Sequence, residues 1–197
     1  MFYCVSRWLC YVIFKIFFRY RIYGKNNLPQ RGPYIIASNH SSYLDPIAIG
    51  ILTPTPLNFM AREDLFRNRV FALIIRNLNS IPLDRERQDI KALRRGIKVL
   101  KKGGNLVIFP EGRRSLNGEL GNPLLGVGFL AQVANTKVVP VYLEGTNLAL
   151  PVNACFIRFK KIRAFVGEPV DPDNRTAEEI VSLVWERVRL LKERAKS

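Results

Sequence analysis

The stretch YIIASNHSSYLDPIAIGIL, residues 34–52, combines a run typical of a buried strand with a turn and the start of a helix. Its first six residues are apolar or small, and their number suits a short strand. The strand leads into His40, and residues 41–52 predict a helix for which Ser41 or Ser42 can serve as the N-cap. The first clear unit is therefore a strand followed by a helix, with a histidine between them.

The same alternation of strand and helix continues along the chain. Apolar runs bounded by turn residues predict strands, and apolar residues at helical spacing predict helices. Residues 155–170 alternate in short runs and predict a pair of strands near a sheet edge. Strands that alternate with helices indicate an α/β domain. The remaining strands are predicted at 81–83, 105–110 and 137–145, and the remaining helices at 87–104, 124–135 and 176–197, the last opening with a capping box of Thr176 and Glu179.

The charge of the chain points to an anionic partner. Its 197 residues suit one domain with a substantial core. Lys and Arg number 31 against 16 Asp and Glu, which gives a net charge of +15. Such an excess attracts nucleic acid or an anionic membrane surface, and a solvated basic surface is the plainer alternative. Because the densest cluster of aromatic residues lies among aliphatic ones at the N-terminus, we favour a membrane and expect no nucleic acid.

The N-terminal residues 1–22, MFYCVSRWLCYVIFKIFFRYRI, predict an amphipathic helix that lies in a membrane interface. The uncharged run that holds its apolar core, WLCYVIF (8–14), is much shorter than the roughly 20 residues of a membrane span. The alternative is a helix that packs on the core with its basic face in water. We predict a membrane-anchoring helix over 1–24 and a catalytic domain over 25–197. The apolar stretch 46–59 can extend the same membrane patch.

The cysteines give no sign of a metal site. Cys4, Cys10 and Cys155 form no C-x-x-C pair, and the chain has no second histidine. We therefore predict no metal. The odd and sparse cysteine count also argues against a disulfide framework and favours a reducing compartment.

His40 is the only histidine, and Asp45 lies five residues after it. Imidazole exchanges a proton near neutral pH, and a carboxylate bound to Nδ1 leaves Nε2 free to act as a base. This spacing does not join two side chains on a regular helix, so a turn or a helix start must lie between them. Two alternatives stay open: a histidine that only fills the core, and a hydrolase-type nucleophile at Ser41 or Ser42, although no G-x-S-x-G elbow is present.

Four short blocks, in this order, resemble those of the glycerolipid acyltransferase family. A histidine–aspartate pair alone arises often by chance, whereas the ordered combination is specific. The blocks are the His-x4-Asp pair His40 and Asp45, the IPLDR string that ends in Arg85, the FPEG string at 109–112 with Arg114, and VVPVYLEG at 138–145.

The resemblance implies a mixed central sheet surrounded by helices and a reaction at the lipid surface. The implied activity moves a fatty acyl group from an acyl thioester to the free hydroxyl of 1-acylglycerol 3-phosphate, giving phosphatidic acid. A base must remove the proton of the attacking hydroxyl, and His40, held by Asp45, would be that base. Arginine binds phosphate with a planar fork. The implied acceptor-binding residues are Arg85, Glu111, Gly112 and Arg114.

The resemblance implies no bound cofactor, because the acyl donor, acyl-coenzyme A or an acyl carrier protein, is a substrate. The other expected partners are a lysophospholipid acceptor and an anionic membrane surface. We expect a monotopic or peripheral protein on the cytoplasmic face of the cell membrane. Two alternatives remain: an acyltransferase for another lysolipid or a glycerol phosphate, and an inactive basic protein that binds membrane or nucleic acid.

Some positions differ from the family or have more than one possible role. Leu124 and Leu125 stand where relatives often carry a lysine-containing stretch, and Arg113 stands where they often have a small or polar residue. Glu111 could accept a glycerol hydroxyl or hold an arginine in place. Asn39 and Ser41 could donate hydrogen bonds to the oxyanion of the tetrahedral intermediate.

Overall fold

Seven strands form one mixed sheet. The computed structural model describes residues 2–62, 80–83, 90–154 and 156–196. Its strands are β1 (Arg21–Tyr23), β2 (Ile35–Ser38), β3 (Leu57–Arg62), β4 (Ser80–Leu83), β5 (Asn105–Ile108), β6 (Val138–Glu144) and β7 (Arg163–Val166). They lie in the order β1-β7-β6-β2-β5-β3-β4. Every neighbouring pair is parallel except β6 and β7, which confirms the mixed sheet.

Helices cover both faces of the sheet. They are α1 (Phe2–Phe17), α2 (Asp45–Gly50), α3 (Ile90–Lys101), α4 (Gly126–Ala134), α5 (Thr146–Ala149) and α6 (Ala177–Lys196). Side chains of a strand alternate between its faces. Ile35 and Ala37 of β2 thus pack with Leu130 of α4, while Ile36 packs in a separate cluster with Ile49 of α2. This second cluster also takes in the end of α1.

The predicted ends of two helices are confirmed in atomic detail. Gly103, with a φ of 83°, follows α3 in the left-handed region, which glycine tolerates best. At the start of α6 the Thr176 N–H donates to Glu179 Oε2 at 2.7 Å, and the Glu179 N–H donates to Thr176 Oγ1 at 3.2 Å. The capping box therefore satisfies N–H groups that the helix itself leaves free.

The predicted strand pair over 155–170 is wrong. Among the described residues of that range, only Arg163–Val166 forms a strand, and it lies between β1 and β6 instead of at the sheet edge. The edge belongs to β1, whose three residues are too few to give a clear alternating pattern. Cys155 lies outside the described residues. Residues 156–161 are thus irregular backbone with exposed side chains, and the buried Ile162 leads into β7.

Two expectations for the region after His40 also need correction. The helix begins at Asp45 and not at the serines, because the intervening loop curls back on the Asp45 carboxylate. Most of the stretch 46–59 lies in the core, because its apolar side chains pack under the sheet. That part does not extend a membrane patch. The buried apolar side chains are Ala48, Ile49, Ile51, Leu52, Leu57 and Phe59.

The N-terminal helix α1 is apolar on two sides. Phe14 is only 3% exposed and packs in the core, whereas Trp8 is 63% exposed on the same helix. Among the described residues, no helix combines the length and the apolar character that crossing a bilayer requires. One side of α1 is therefore anchored to the domain while another carries apolar groups into solvent.

Candidate active site

Two loops at one edge of the sheet carry the predicted site. Strands β2 and β5 are parallel neighbours, so their carboxyl ends lie side by side. His40 follows β2, and the FPEG string at 109–112 follows β5. Two hydrogen bonds join these loops. The Ser115 N–H donates to the His40 carbonyl at 2.8 Å, and the His40 N–H donates to the side-chain Oε1 of Glu111 at 3.0 Å.

His40 and Asp45 form a hydrogen-bonded pair. Nδ1 of His40 lies 2.9 Å from Oδ2 of Asp45, and the carboxylate is fully buried. The same oxygen accepts the N–H groups of Ser41 at 2.6 Å and Ser42 at 2.8 Å. Because an ionised carboxylate can only accept, it fixes the histidine proton on Nδ1 and leaves the lone pair on Nε2. The side chain of His40 is 12% exposed, so part of it reaches solvent.

The ring of His40 is also stacked on an aromatic neighbour. The centroids of the His40 and Phe109 rings are 4.1 Å apart, with an angle of 18° between the planes. A flat contact of this kind resists tilting of the imidazole about its bond to Asp45. The sequence analysis used Phe109 only as part of a motif and missed this contact. The position of Phe109 directly before Pro110 and Glu111 was the signal that could have pointed to it.

The polar side chains next to His40 make hydrogen bonds to other parts of the domain. The Asn39 amide donates to the Leu143 carbonyl at 2.9 Å and its oxygen accepts the Leu143 N–H at 2.7 Å, which ties the loop to β6. Ser41 Oγ lies 3.3 Å from Thr146 Oγ1. Ser42 Oγ donates to the Leu150 carbonyl at 2.8 Å. The suggested oxyanion role of Asn39 and Ser41 and the serine-nucleophile alternative therefore lack geometric support.

Glu111 links the His40 loop to a later part of its own loop. Besides the His40 N–H, it accepts the Gly121 N–H on Oε2 at 2.8 Å. Burial raises the pKa of this carboxyl above its usual value, and the two backbone N–H groups oppose that rise. Glu111 therefore holds backbone rather than an arginine, while each oxygen keeps a further lone pair for a ligand hydroxyl.

Gly112 occupies a position that no other residue fits well. Its φ is 68°, and its N–H donates to the Phe109 carbonyl at 3.0 Å in a tight turn. A Cβ at this place would lie 2.9 Å from Cδ1 of Leu124. The glycine thus permits both the turn and the close approach of the following loop.

Arg114 is held by Tyr43, which lies inside the His-x4-Asp block. Nη2 of Arg114 donates to the Tyr43 hydroxyl at 2.9 Å, and the guanidinium carbon lies 3.6 Å from the ring centroid. Nη1 is buried and makes no hydrogen bond within the described part of the chain. Arg113 is exposed beside it. The predicted Arg85 lies outside the described residues.

A cleft of about 910 Å³ opens beside this arginine loop. Its wall includes Glu111, Arg113 and Arg114 together with the apolar side chains of Leu116 and Leu124. Cations beside apolar groups suit an amphiphile with an anionic head. His40, Asp45, Glu111, Gly112 and Arg114 thus meet at one edge of the sheet, where an imidazole lies next to a loop that carries two arginines.

Comparisons with known proteins show the family of this chain. The profile of the family described as Acyltransferase matches residues 19–144, more than half of the 197. The 1-acyl-sn-glycerol-3-phosphate acyltransferase of Bacillus subtilis (strain 168) is 29% identical over 152 residues, covering 76% of this chain and 73% of that protein. The protein of the same name from Streptococcus pneumoniae is 35% identical over 114 residues, covering 57% of this chain and 42% of that protein.

The fold also has a counterpart among solved structures. The crystal structure of the 1-acyl-sn-glycerophosphate (LPA) acyltransferase PlsC from Thermotoga maritima superposes with a TM-score of 0.82 at 27% identity. The superposition covers 98% of this chain and 83% of that one. The profile match spans the β2 and β5 loops that carry the site, and on that ground the chain belongs to the acyltransferase family.

Proposed function

We propose that the protein transfers a fatty acyl group from an acyl thioester to the free hydroxyl of 1-acylglycerol 3-phosphate, giving phosphatidic acid. The observation that carries this proposal is the placement of His40, bound to buried Asp45, next to the arginine loop at one sheet edge. The names of the relatives from Bacillus subtilis and Streptococcus pneumoniae support the choice of acceptor.

In the proposed reaction His40 acts as the general base. Its Nε2 takes the proton of the acceptor hydroxyl while the oxygen attacks the thioester carbonyl carbon. Asp45 stabilises the imidazolium that forms. The tetrahedral intermediate then expels the thiolate, which takes the proton back from His40. Direct transfer of this kind needs no acyl-enzyme, consistent with the hydroxyls of Ser41 and Ser42 being engaged elsewhere.

The acceptor phosphate is proposed to bind at the loop that follows β5. Arg114 offers a guanidinium whose Nη1 makes no hydrogen bond within the described residues, and Gly112 lets the backbone turn tightly beside it. Glu111 fixes this loop against His40 and has lone pairs left for a glycerol hydroxyl. Arg85 is proposed as a second phosphate ligand on the strength of its place in the IPLDR block. Acyl-coenzyme A and acyl carrier protein are both suitable donors.

We also propose that the protein works at an anionic lipid surface on the cytoplasmic face of the membrane, with residues 1–24 as its anchor. The exposed side of α1 carries Trp8 and Ile16, and the net charge of the chain is +15. Aromatic and aliphatic groups enter the acyl boundary while cations remain among the headgroups.

The test is an acyl-transfer assay with purified protein, 1-acylglycerol 3-phosphate and a labelled long-chain acyl-coenzyme A in vesicles. We expect His40→Ala to lower the rate by about 10²–10⁴-fold, the usual contribution of a general base. Far-UV circular dichroism should match the wild type, because the histidine is a loop residue. Leu190→Ala, an exposed site on α6, is the control and should keep full activity.

Retained activity in His40→Ala would exclude the proposed base. If the wild type makes no phosphatidic acid, the same assay with acyl carrier protein as donor, and with other lysophospholipids and glycerol 3-phosphate as acceptors, separates a different substrate from a protein without catalysis.

A further inference from the structure

A short aromatic and basic segment stands out on the surface between β6 and β7. Residues 156–161 read FIRFKK and form no strand or helix. Phe156 is 83% exposed, Phe159 68% and Ile157 52%. The three cations of the segment are exposed as well. Neither the proposed acyl transfer nor the core uses these side chains, although large apolar groups are costly to leave in water.

The segment is fixed in place beside α1. The Phe159 ring lies 5.0 Å from that of Phe17, between centroids, and 6.0 Å from that of Phe18. The Ile162 N–H donates to the Phe18 carbonyl at 3.0 Å. On its other side, the Arg158 N–H donates to the carbonyl of Ala149, the last residue of α5, at 2.7 Å. The exposed rings of Phe17 on α1 and Phe159 in this segment therefore join the two elements in one apolar surface.

The composition of this surface favours lipid over protein. Lysine is depleted in protein–protein interfaces, and their apolar centres are poor in charge. Here cations alternate with phenylalanine and isoleucine, and residues 156–163 contain no acidic side chain. Apolar groups next to several Lys and Arg residues are typical of segments that insert shallowly among anionic headgroups.

We infer that residues 156–161 form a second membrane contact, which binds an anionic phospholipid surface together with α1. The inference rests on the proposed membrane association and extends it to a part of the chain outside residues 1–24. A single helix lying in the interface leaves the domain free to roll about the helix axis. A second contact beside that axis prevents this rotation. The segment also touches α5, and α5 contacts the His40 loop through Thr146 and Ser41.

The experiment measures binding of the full chain to vesicles of phosphatidylcholine and phosphatidylglycerol by sedimentation. The main variant is Phe156→Ser with Ile157→Ser, because neither side chain is part of the ring contacts with α1. Trp8→Ser tests the helix. Leu190→Ser is the matched control: Leu190 is 63% exposed on α6, which packs on the opposite face of the sheet. Thermal unfolding of each variant checks the fold.

We expect the double variant and Trp8→Ser each to bind vesicles at least about fivefold more weakly, since each removes apolar surface that would leave water on docking. The control should bind like the wild type. Acyl transfer by the double variant should fall with acceptor in vesicles and stay near wild type with a short-chain acceptor dispersed as monomers.

The outcomes distinguish the second membrane contact from the anchoring role of α1. If only Trp8→Ser weakens binding, the second contact is excluded while the anchoring role of α1 stands. If neither variant weakens binding, both are excluded. If Leu190→Ser weakens it equally, the effect is not specific to this surface and the inference fails.

Discussion

One oxygen atom decides the geometry of the site. Oδ2 of Asp45 accepts the His40 ring N–H and the backbone N–H groups of Ser41 and Ser42. The carboxylate thus orients the imidazole and also shapes the loop that leads into α2. A substitution at Asp45 therefore changes loop conformation as well as proton transfer, so His40→Ala is the cleaner test of the base.

The contact between Tyr43 and Arg114 predicts a change in acceptor affinity. Tyr43→Leu removes both the ring face and the hydroxyl partner, and we expect the KM for the phosphate acceptor to rise about fivefold, with kcat nearly unchanged. Tyr43→Phe keeps the ring and should have a smaller effect. The KM for the acyl donor serves as the internal control. A fall in kcat with unchanged acceptor KM would contradict a positioning role for Tyr43.

The raised pKa of Glu111 predicts how stability depends on pH. Since the folded pKa lies above the unfolded one, the folded state binds more protons through this group, and its contribution is largest below the unfolded pKa and declines as pH rises through the folded pKa. Comparing wild type with Glu111→Gln by chemical denaturation, we expect the wild-type advantage to shrink as the pH rises above about 4, the ordinary pKa of a glutamate. An advantage that grows over this range would contradict the direction of the shift.

The sequence could identify His40, Asp45, Glu111, Gly112 and Arg114, because each belongs to a short block of fixed spacing. It could not give the partners of Glu111, which are backbone N–H groups whose direction depends on the folded loops. The stacking of Phe109 on His40 was hidden for a similar reason, since it depends on β2 and β5 being neighbours in the sheet.

Among the elements, long periodic segments were predictable and short edge segments were not. The α6 helix and its capping box follow from local sequence, because cap and apolar stripe lie within one stretch of chain. The three residues of β1 carry no such signal, and their strand conformation depends on pairing with distant β7. The same absence of a local cause explains why the prediction of two strands over residues 155–170 is wrong.

The packing of α4 on the start of α6 gives a prediction for a glycine. A Cβ at Gly128 would lie 2.1 Å from the Ala177 carbonyl oxygen, so the helices must separate to admit it. We expect Gly128→Ala to lower the free energy of unfolding by about 1–3 kcal/mol, as overpacking usually does. Gly126→Ala on the same helix is the control, because its Cβ would meet Leu93 Cδ2 at an ordinary 3.8 Å. If the two variants had equal free energies of unfolding in urea, the helices could separate at little cost and the prediction would be wrong.

For the whole molecule, the net charge of +15 predicts how membrane binding responds to salt. Screening reduces the reach of surface charges from about 10 Å at 0.1 M to about 3 Å at 1 M ionic strength. Binding to vesicles rich in phosphatidylglycerol should therefore weaken at least about tenfold over this range. Vesicles of phosphatidylcholine alone are the control and should bind weakly with little salt dependence. Salt-independent binding to the anionic vesicles would rule out the charge as a cause.

The strand order also has a consequence for the order of events during synthesis. β1 lies at the sheet edge, and its partner is β7, the last strand of the sheet in chain order. Proteins emerge from the ribosome N-terminus first, so β1 has no partner until synthesis has passed β7. Until then α1 is tethered to a sheet that has not closed on it, and its amphipathic surface is available to a bilayer before the domain folds.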